Sequence, residues 1–494
     1  MPNEIELKLR IAKEDIPHLR RHAAIRKYLT GKAITRRLVS TYYDTPDLQL
    51  FDQRVSLRVR RMSGGWFQAV KAAGHSLAGL HQRLEWEDII SKGEPDYTKI
   101  TDPSLTPIFD DPMLRQGLQP IFTTDMRRTE WQLDYQGSHI ELSLDDGLLI
   151  AGKHQEPLIE IELELKDGKI EQLFALALEL QSDIALTIEN VSKAQRGYAY
   201  YRQFPQLPSK AKPAGLTATD QPSDAFAKAG WECLRHLQSN QAIAIQGDDP
   251  EGVHQMRVAL RRLKVTLKAF GINNDTINDE IDWLNSLLAK ARDLDVLLHE
   301  TLPSLKLSTD VLHKAQAHVS SAQKRAYSTL RNGLRQSRYQ HLLLTLGYLF
   351  ACGLPIGHPK LSRTASSHLQ RTHKKLFKQG KQLDKLSTEQ RHQLRILTRR
   401  LRYALELFTP LYQGKKSGKQ AAKLLSTLSG LQANLGTLND TAVTSQTLER
   451  MSKRNPGLVP VLPIWQQAAR KREKRHTADL PNLWKALKKA STPW

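Results

Sequence analysis

The chain has little of several things that would assign it quickly. Two cysteines, Cys233 and Cys352, occur in 494 residues, so neither a disulfide framework nor a four-thiolate zinc site is available within one chain. Both read as small buried hydrophobes. No apolar run approaches the ~18 residues that cross a bilayer, and with 40% apolar residues and a mean hydropathy of −0.48 the chain reads as soluble. Its start shows no charged-then-apolar segment, so the expected compartment is the cytoplasm, with no membrane partner. Aromatics are 6% of the residues, which leaves little material for stacking platforms. No Ser, Cys or His stands in a spacing that demands a covalent catalytic route.

Charge is what the chain has, unevenly. Residues 1–203 carry 27 Lys+Arg against 30 Asp+Glu, net −3, whereas residues 204–494 carry net +25 of the whole-chain +22. A near-neutral module joined to a strongly cationic one suggests chemistry in the first and capture of a polyanion by the second.

Five segments of the first part alternate polar and apolar with a period of two, as half-buried strands do. They are 4–10, 55–60, 66–71, 140–145 and 159–165. Their polar faces are segregated by sign. One strand presents Glu4, Glu6 and Lys8, another Arg58 and Arg60, another Glu160, Glu162 and Glu164. Like charges at i, i+2 repel. A solvated face explains any one such strand. Across four strands a closed antiparallel barrel with its charged faces inward is the better account, the basic strands holding a polyanion and the acidic strands a divalent metal. The outward apolar faces then need covering, and 171–180, rich in helix formers, is a candidate.

These residues carry a family resemblance. Glu4-Ile-Glu-Leu-Lys8 resembles the ExExK signature of the CYTH, or triphosphate tunnel metalloenzyme, superfamily. Thr41-Tyr-Tyr-Asp-Thr-Pro46, Leu57-Arg-Val-Arg60, Ile159-Glu-Ile-Glu-Leu-Glu164 and Ser192-Lys193-Ala-Gln-Arg196-Gly197 follow in the family's order. The resemblance implies an eight-stranded tunnel that hydrolyses a triphosphate with divalent metal, magnesium first and manganese as the alternative. Carried over by position, Lys8, Arg58, Arg60, Lys71, Arg128 and Lys193 bind phosphate, while Glu4, Glu6, Asp145, Glu160 and Glu162 handle metal. Glu4, Glu6, Lys8, Glu160 and Glu162 are the catalytic set. Of adjacent Arg127 and Arg128 only one can face inward, and Arg128 is favoured. Glu164 has the parity of a tunnel-rim residue, and Arg83 with Glu85 forms a further charged pair.

The residue types suit that chemistry without the family. Phosphoanhydride hydrolysis needs charge neutralisation and an in-line water more than covalent help. Arg grips phosphate bidentately, Lys acts as a point charge, and magnesium prefers carboxylate and phosphate oxygens.

Past Tyr200 the pattern changes. Residues 204–222 are Pro-rich without apolar periodicity and read as a semi-rigid linker. From 223 to 485 the chain is helical in character and repeats itself. His254-Gln-Met-Arg257-Val-Ala-Leu-Arg261-Arg-Leu-Lys264 matches His392-Gln-Leu-Arg395-Ile-Leu-Thr-Arg399-Arg-Leu-Arg402, and each copy follows a helix-start signal, Asp249-Pro250 or the capping-box spacing Ser387 to Gln390. At ~100° per residue, positions 0, +3, +7 and +10 share one face. His254, Arg257, Arg261 and Lys264 therefore form one cationic stripe, extended by Lys268, and His392, Arg395, Arg399 and Arg402 form the second. Asp293 and Asp440 lie in a second duplicated element and are expected to orient stripe arginines. This pattern resembles the CHAD domain, an all-helical module with internal twofold pseudosymmetry, and that resemblance implies two four-helix halves whose stripes bind inorganic polyphosphate. Neither stripe histidine has a second His or carboxylate at i+3 or i+4, which disfavours metal binding there.

The expected fold class is thus α+β multidomain. An N-terminal eight-stranded antiparallel β-barrel tunnel with covering helices (1–203) is joined by a linker (204–222) to a C-terminal all-α duplicated helical bundle (223–485). The expected function is metal-dependent hydrolysis of inorganic triphosphate to pyrophosphate and phosphate, with polyphosphate bound by the bundle and an association with polyphosphate granules. Thiamine triphosphate or a nucleoside triphosphate is the alternative substrate, and a non-catalytic polyphosphate scaffold the alternative class. Nucleic acid is disfavoured as a partner because the stripes interleave no aromatics.

Overall fold

The computed structural model describes residues 3–494 apart from 63, 203, 204, 356, 382, 384 and 385. The chain forms two compact units, Met1–Gln206 together with Ser337–Cys352, and Leu207–Gln336 together with Gly353–Trp494. Among the described residues no helix is long and apolar enough to cross a membrane.

In the first unit, nine strands run in the order β5-β4-β3-β2-β6-β7-β8-β1-β9, and an additional β5–β1 pairing closes eight of them into an antiparallel barrel. They are β1 (Asn3–Ile11), β2 (Ile34–Asp44), β3 (Val55–Met62), β4 (Gly65–Leu77), β5 (Leu80–Ile90), β6 (Gln119–Tyr135), β7 (Ser138–Ala151), β8 (His154–Asp167) and β9 (Leu186–Ile188). The five strands read from alternation are β1, β3, β4, β7 and β8. Strand β1 serves twice, since Asn3–Leu7 pairs β5 to close the barrel while Leu9–Ile11 pairs β9.

Alternation turns Glu4, Glu6 and Lys8 inward from β1, and Arg58 and Arg60 from β3. The odd-numbered face of β3 is apolar and points outward. Val55, Leu57 and Val59 pack with Ile100, Leu105, Phe109 and Leu114, so the segment after β5 covers the barrel's outer surface. Burying that face supplies roughly 1.5–3 kcal/mol per large side chain. The helix Glu171–Gln181 buries Leu173, Phe174, Leu176, Ala177 and Leu180, in the covering role expected of it.

One end of the barrel is filled instead of open. Tyr42, Phe122, Met126, Leu149, Ala151 and Leu158 form a buried cluster with Tyr198 of the helix Lys193–Tyr198. Gly197 lets that helix approach, because a Cβ there would lie 2.3 Å from the Phe122 ring. A capping box between Ser192 and Gln195 starts the helix and sets Lys193 at its first turn.

Ser337–Cys352 departs from the expected division of the chain. It lies inside the 223–485 span read as the bundle, yet belongs to the barrel unit, where Gln340 Oε1 accepts from the Ile188 amide at 3.1 Å and His341 sits 3.0 Å from Gln181. Gly347 packs on Phe174, where a Cβ would meet the ring at 2.3 Å. Sequence periodicity reports that a helix is apolar, not which core it joins.

In the second unit the helices Pro222–Gln238, Pro250–Ala269, Asp275–Asp295 and Thr309–Arg335 form one set, and Leu361–Gln379, Thr388–Phe408, Lys415–Ser452 and Val461–Lys489 the other. Asp249 caps Pro250–Ala269 through the Glu251 amide, and Ser387 and Gln390 complete a capping box at the start of Thr388–Phe408. The stretch read as a linker has no regular secondary structure between 205 and 221 and is tied to the helical unit, since Asn240 pairs with the Ser209 backbone at 2.9 and 3.0 Å and Glu232 accepts from the Lys212 amide at 2.8 Å. Gln203 and Phe204, at the expected junction, lie outside the described residues.

Candidate active site and basic face

The barrel encloses a cavity of about 550 Å³ whose lining is almost entirely charged. Its walls hold Glu4, Glu6, Lys8, Arg58, Arg60, Lys71, Arg128, Glu162 and Lys193, with Glu164, Arg83 and Glu85; the last two do not form the expected pair, because Glu85 is taken by Arg58 and Lys71 while Arg83 turns to Glu4, Glu6 and His81. Asp145 and Glu160 lie behind them at 1% and 0% exposure. Arg127 is exposed on the outer face while Arg128 turns inward.

Two groups of ion pairs organise this interior. In the deeper one, Lys193 Nζ lies 2.8 Å from both Asp145 and Glu162 and also donates to Glu160. Lys8 donates to Glu6 at 2.7 Å and to Glu162. Arg128 grips Asp145 bidentately at 2.7 and 2.6 Å and reaches Glu162 as well. In the second group Lys71 donates to both oxygens of Glu4 at 2.7 Å and sits 3.0 Å from Glu85, which also accepts from Arg58 at 3.0 Å.

Buried charges survive only when paired. Burial raises the Asp145 and Glu162 carboxyls, but Arg128 and Lys193 for the first, and Lys193, Lys8 and Arg128 for the second, outweigh it and hold both well below the usual carboxylate range. Glu160 goes the other way. Its burial outweighs Lys193 and Lys8, Glu162 and Asp145 add repulsion, and its carboxyl is raised. Its Oε2 is buried without a hydrogen-bond partner among the described residues. Asp145, Glu160 and Glu162 bring ligand oxygens within 4.8 Å of one another, a compact hard-oxygen set with one uncommitted atom, and such a set fits a divalent cation. In the second group burial raises Glu85, and Lys71 and Arg58 overcome it and bring it down to about 2.

Arg60 has no such partner. Its Nε donates to Ser40 Oγ at 3.0 Å, and burial, then Arg58 and Arg128, push it down to about 10 against the weaker pull of Tyr42 and Glu87, so it is charged at neutral pH with no ion pair among the described residues.

Sequence reading overlooked Arg36, Glu130, Glu141 and Lys166, which also line the cavity. Arg36 and Glu130 pair with each other from β2 and β6, two strands whose alternation is interrupted by Thr, Ser and Tyr. For Glu130, the parity it shares with Arg128 on β6 was the available signal.

In the helical unit the stripes separate into two classes. Arg257 lies 3.7 Å from Asp293, and burial, followed by Arg261, pushes it down to about 10. Burial with Arg261 and Arg395 pushes Arg399 to about 9, and burial also lowers Arg395 against the pull of Asp440. Arg261 of one stripe thus acts on both Arg395 and Arg399 of the other, so the two repeats set four arginines facing each other. Asp293 and Asp440 sit close enough to act on Arg257, as the orienting role requires. Lys264 and Arg402 are occupied elsewhere, with Asp282 at 2.5 Å and Glu406 at 2.6 Å. His392 pairs with Asn439 at 2.7 Å, and burial lowers His254 despite Glu251. Lys268 is lowered by burial and then by Arg400 and Lys375. Lys375 was missed because it lies on Leu361–Gln379, outside the quoted motif, and Arg400 because it stands next to Arg399 and off the spacing that defines the stripe.

Residues 2–198 match the CYTH domain family and residues 228–449 the CHAD domain family. A protein of Haemophilus influenzae named inorganic triphosphatase is 36% identical over 200 residues, 40% of this chain and 55% of that one, so the chain spans little more than half the length of this relative. An uncharacterized protein of Mycobacterium tuberculosis is 26% identical over 434 residues, 80% of each chain. The crystal structure of the CHAD domain from the plant Ricinus communis has a TM-score of 0.54 at 30% identity, covering 59% of this chain and 99% of that one. The closed charged barrel and the duplicated helical unit place the chain in both families, with one CYTH domain and one CHAD domain.

Proposed function

We propose that the barrel hydrolyses inorganic triphosphate to pyrophosphate and phosphate with a divalent metal, and that the helical unit binds inorganic polyphosphate. One observation carries the reading. Within a single cavity, a buried carboxylate cluster stands beside desolvated cations, of which Arg60 has no ion pair among the described residues. The similarity to the Haemophilus triphosphatase over this barrel supports it.

In this reading Lys8, Arg58, Arg60, Lys71, Arg128 and Lys193 hold phosphate oxygens, exchanging their present carboxylate partners for the substrate. Their charge is desolvated before substrate arrives, so little reorganisation remains at the moment of reaction. Asp145, Glu160 and Glu162 would hold magnesium or manganese. The bound ion supplies charge to the phosphate oxygens and acidifies water. Glu6 Oε1, buried and without a hydrogen-bond partner among the described residues, can accept from the attacking water, and Glu4 lies beside it on the same face of β1. No aromatic platform beyond Tyr42 lines the cavity, which favours an inorganic substrate over thiamine or nucleoside triphosphates. A purely binding tunnel would gain nothing from a buried carboxylate cluster that repels its ligand.

For the helical unit, Arg257, Arg261, Arg395 and Arg399 are cations confined near one another, and a repeating polyanion relieves that repulsion while releasing counterions. Association with polyphosphate granules follows from the same affinity. The test is phosphate release from tripolyphosphate, ATP and thiamine triphosphate with magnesium or manganese, comparing the intact chain with Glu162→Gln. Metal-dependent release from tripolyphosphate that the substitution abolishes is expected. Binding of all three with no release would make the chain a receptor.

A further inference from the structure

We propose that the helix Leu361–Gln379 carries a third cationic stripe, which prolongs the polyanion path of the helical unit so that long polyphosphate chains are held in preference to short ones, an inference that rests on the helical unit taking polyphosphate.

The spacing of the two stripes returns on a helix that lacks their sequence motif. His368, Arg371, Lys375 and Lys378 stand at 0, +3, +7 and +10, as His254 to Lys264 and His392 to Arg402 do. All four lie within one helix, so this spacing sets them on one face. Its 19 residues include Arg363, Arg371, Lys374, Lys375 and Lys378 but neither Asp nor Glu. Arg371 with Lys375, and Lys374 with Lys378, are like charges at i, i+4, an arrangement that weakens a helix. Among the described residues none of these cations has an ion pair. The first helix of the other set behaves differently. There Lys228 and Arg235 of Pro222–Gln238 are answered by Asp220 at 2.8 Å and Glu232 at 2.7 Å. One half of the unit thus neutralises the helix before its stripe, and the other half leaves that helix open.

The third stripe adjoins the first. Leu361–Gln379 packs beside both Pro250–Ala269 and Thr388–Phe408. His368 is 6% exposed, and burial, with Arg371, Lys268 and Lys375 around it, pushes it down to about 4, so the ring is neutral and the cations alone set the local charge. Arg400 and Lys375 both act on Lys268. Lys268, Arg371, Lys375 and Arg400, all exposed, therefore gather from three helices at the end of the first stripe. Between this group and the four facing arginines stands Lys264, already held by Asp282. Arg261 and Lys268 are separated by two turns of helix, a rise of about 10 Å. Only a chain long enough to cross that interval engages both groups, and each added phosphate contact releases further counterions.

The test is fluorescence anisotropy of end-labelled polyphosphate, in short-chain and long-chain fractions, with the full-length protein in the absence of divalent metal and over a series of salt concentrations. Arg371→Gln, Lys375→Gln and Arg400→Gln are combined in one variant, because all three side chains are exposed and their removal relieves repulsion. Long-chain affinity should fall roughly tenfold or more, and its log–log salt slope should shrink by about two, as expected for three lost phosphate contacts. Short-chain affinity should stay within about twofold of the parent. A second variant, Lys415→Gln with Lys416→Gln and Lys419→Gln, removes the same charge from another helix and should leave both affinities within about twofold. A long-chain loss smaller than twofold, equal losses with both fractions, or an equal loss in the second variant would overturn the proposal. A parent that binds neither fraction removes the polyphosphate reading and this one together. A parent that binds both, with the three substitutions silent, removes this one alone.

Discussion

The barrel and the helical unit use the same side chains in opposite electrostatic states. In the barrel, Lys8, Arg128 and Lys193 each hold a carboxylate oxygen within 2.8 Å. In the helical unit the carboxylate nearest Arg257 is 3.7 Å away, and among the described residues Arg261, Arg395 and Arg399 have no ion pair. The first arrangement costs desolvation that pairing offsets, and holds charges rigidly where a reaction can use them. The second leaves repulsion for a ligand to relieve and projects a long-range field that speeds capture. Geometry therefore separates a cavity of paired charges from a face of unpaired ones, a difference in arrangement that net charges of −3 and +25 for the two parts of the chain do not by themselves reveal.

Removing one cation from each should show the contrast most strongly. Lys193→Ala leaves three buried carboxylates short of a partner, and we predict a loss of about 3–5 kcal/mol of stability together with a fall in triphosphate hydrolysis of roughly 10³-fold, measured by denaturant unfolding and phosphate release. Arg399→Ala relieves repulsion, so its melting temperature should hold or rise while polyphosphate affinity falls about tenfold, near one charge-assisted contact. Equal destabilisation by the two substitutions would dissolve the comparison.

Acid should separate the units next. Glu85 is lowered to about 2 from an unfolded value near 4.5, with Asp145 and Glu162 shifted in the same direction. A depressed carboxylate stabilises the fold above its unfolded value, and that contribution is lost as pH falls through the folded value. The barrel is therefore predicted to loosen between about pH 4.5 and 2. Asp293 is raised from 3.8 by burial despite Arg257, so protonation relieves strain in the helical unit as pH falls from its folded value towards 3.8. Amide hydrogen exchange resolved by segment reads the two separately, and simultaneous loosening would contradict the assignment.

Salt offers a smaller contrast. Polyphosphate affinity should fall steeply and linearly in log–log form as counterion release demands, while the KM for tripolyphosphate in the enclosed tunnel should respond less, because buried pairs are weakly screened. Matching slopes in the two titrations would argue against it. Smallest of all, Arg127→Ala, on the exposed side of β6, should change stability by less than about 0.5 kcal/mol and leave hydrolysis at the parental rate, in contrast to its neighbour Arg128.

The tunnel was legible because strand alternation sorts side chains by face. Once Glu4, Glu6 and Lys8 share a parity, the direction of every residue on β1 follows, and the same holds for Arg58 with Arg60 and for Glu160 with Glu162. The helical stripes were legible for the analogous reason, a spacing that returns to one face. Arg36 and Glu130 were missed because β2 and β6 carry Thr, Ser and Tyr, whose alternation is weak.

Local spacing and charge order, then, were enough to point to a charged barrel and to a duplicated cationic bundle, since both follow from the periodicity of backbone and side chain, while closure itself came from the β5–β1 pairing. Distance between residues far apart in the chain is what only the folded molecule could decide. It withdraws Lys264 and Arg402 into pairs with Asp282 and Glu406, leaves Arg60 without an ion pair among the described residues, and assigns Ser337–Cys352 to the barrel unit. Pair energies depend on separation and burial, and neither is encoded in the spacing along a strand or helix.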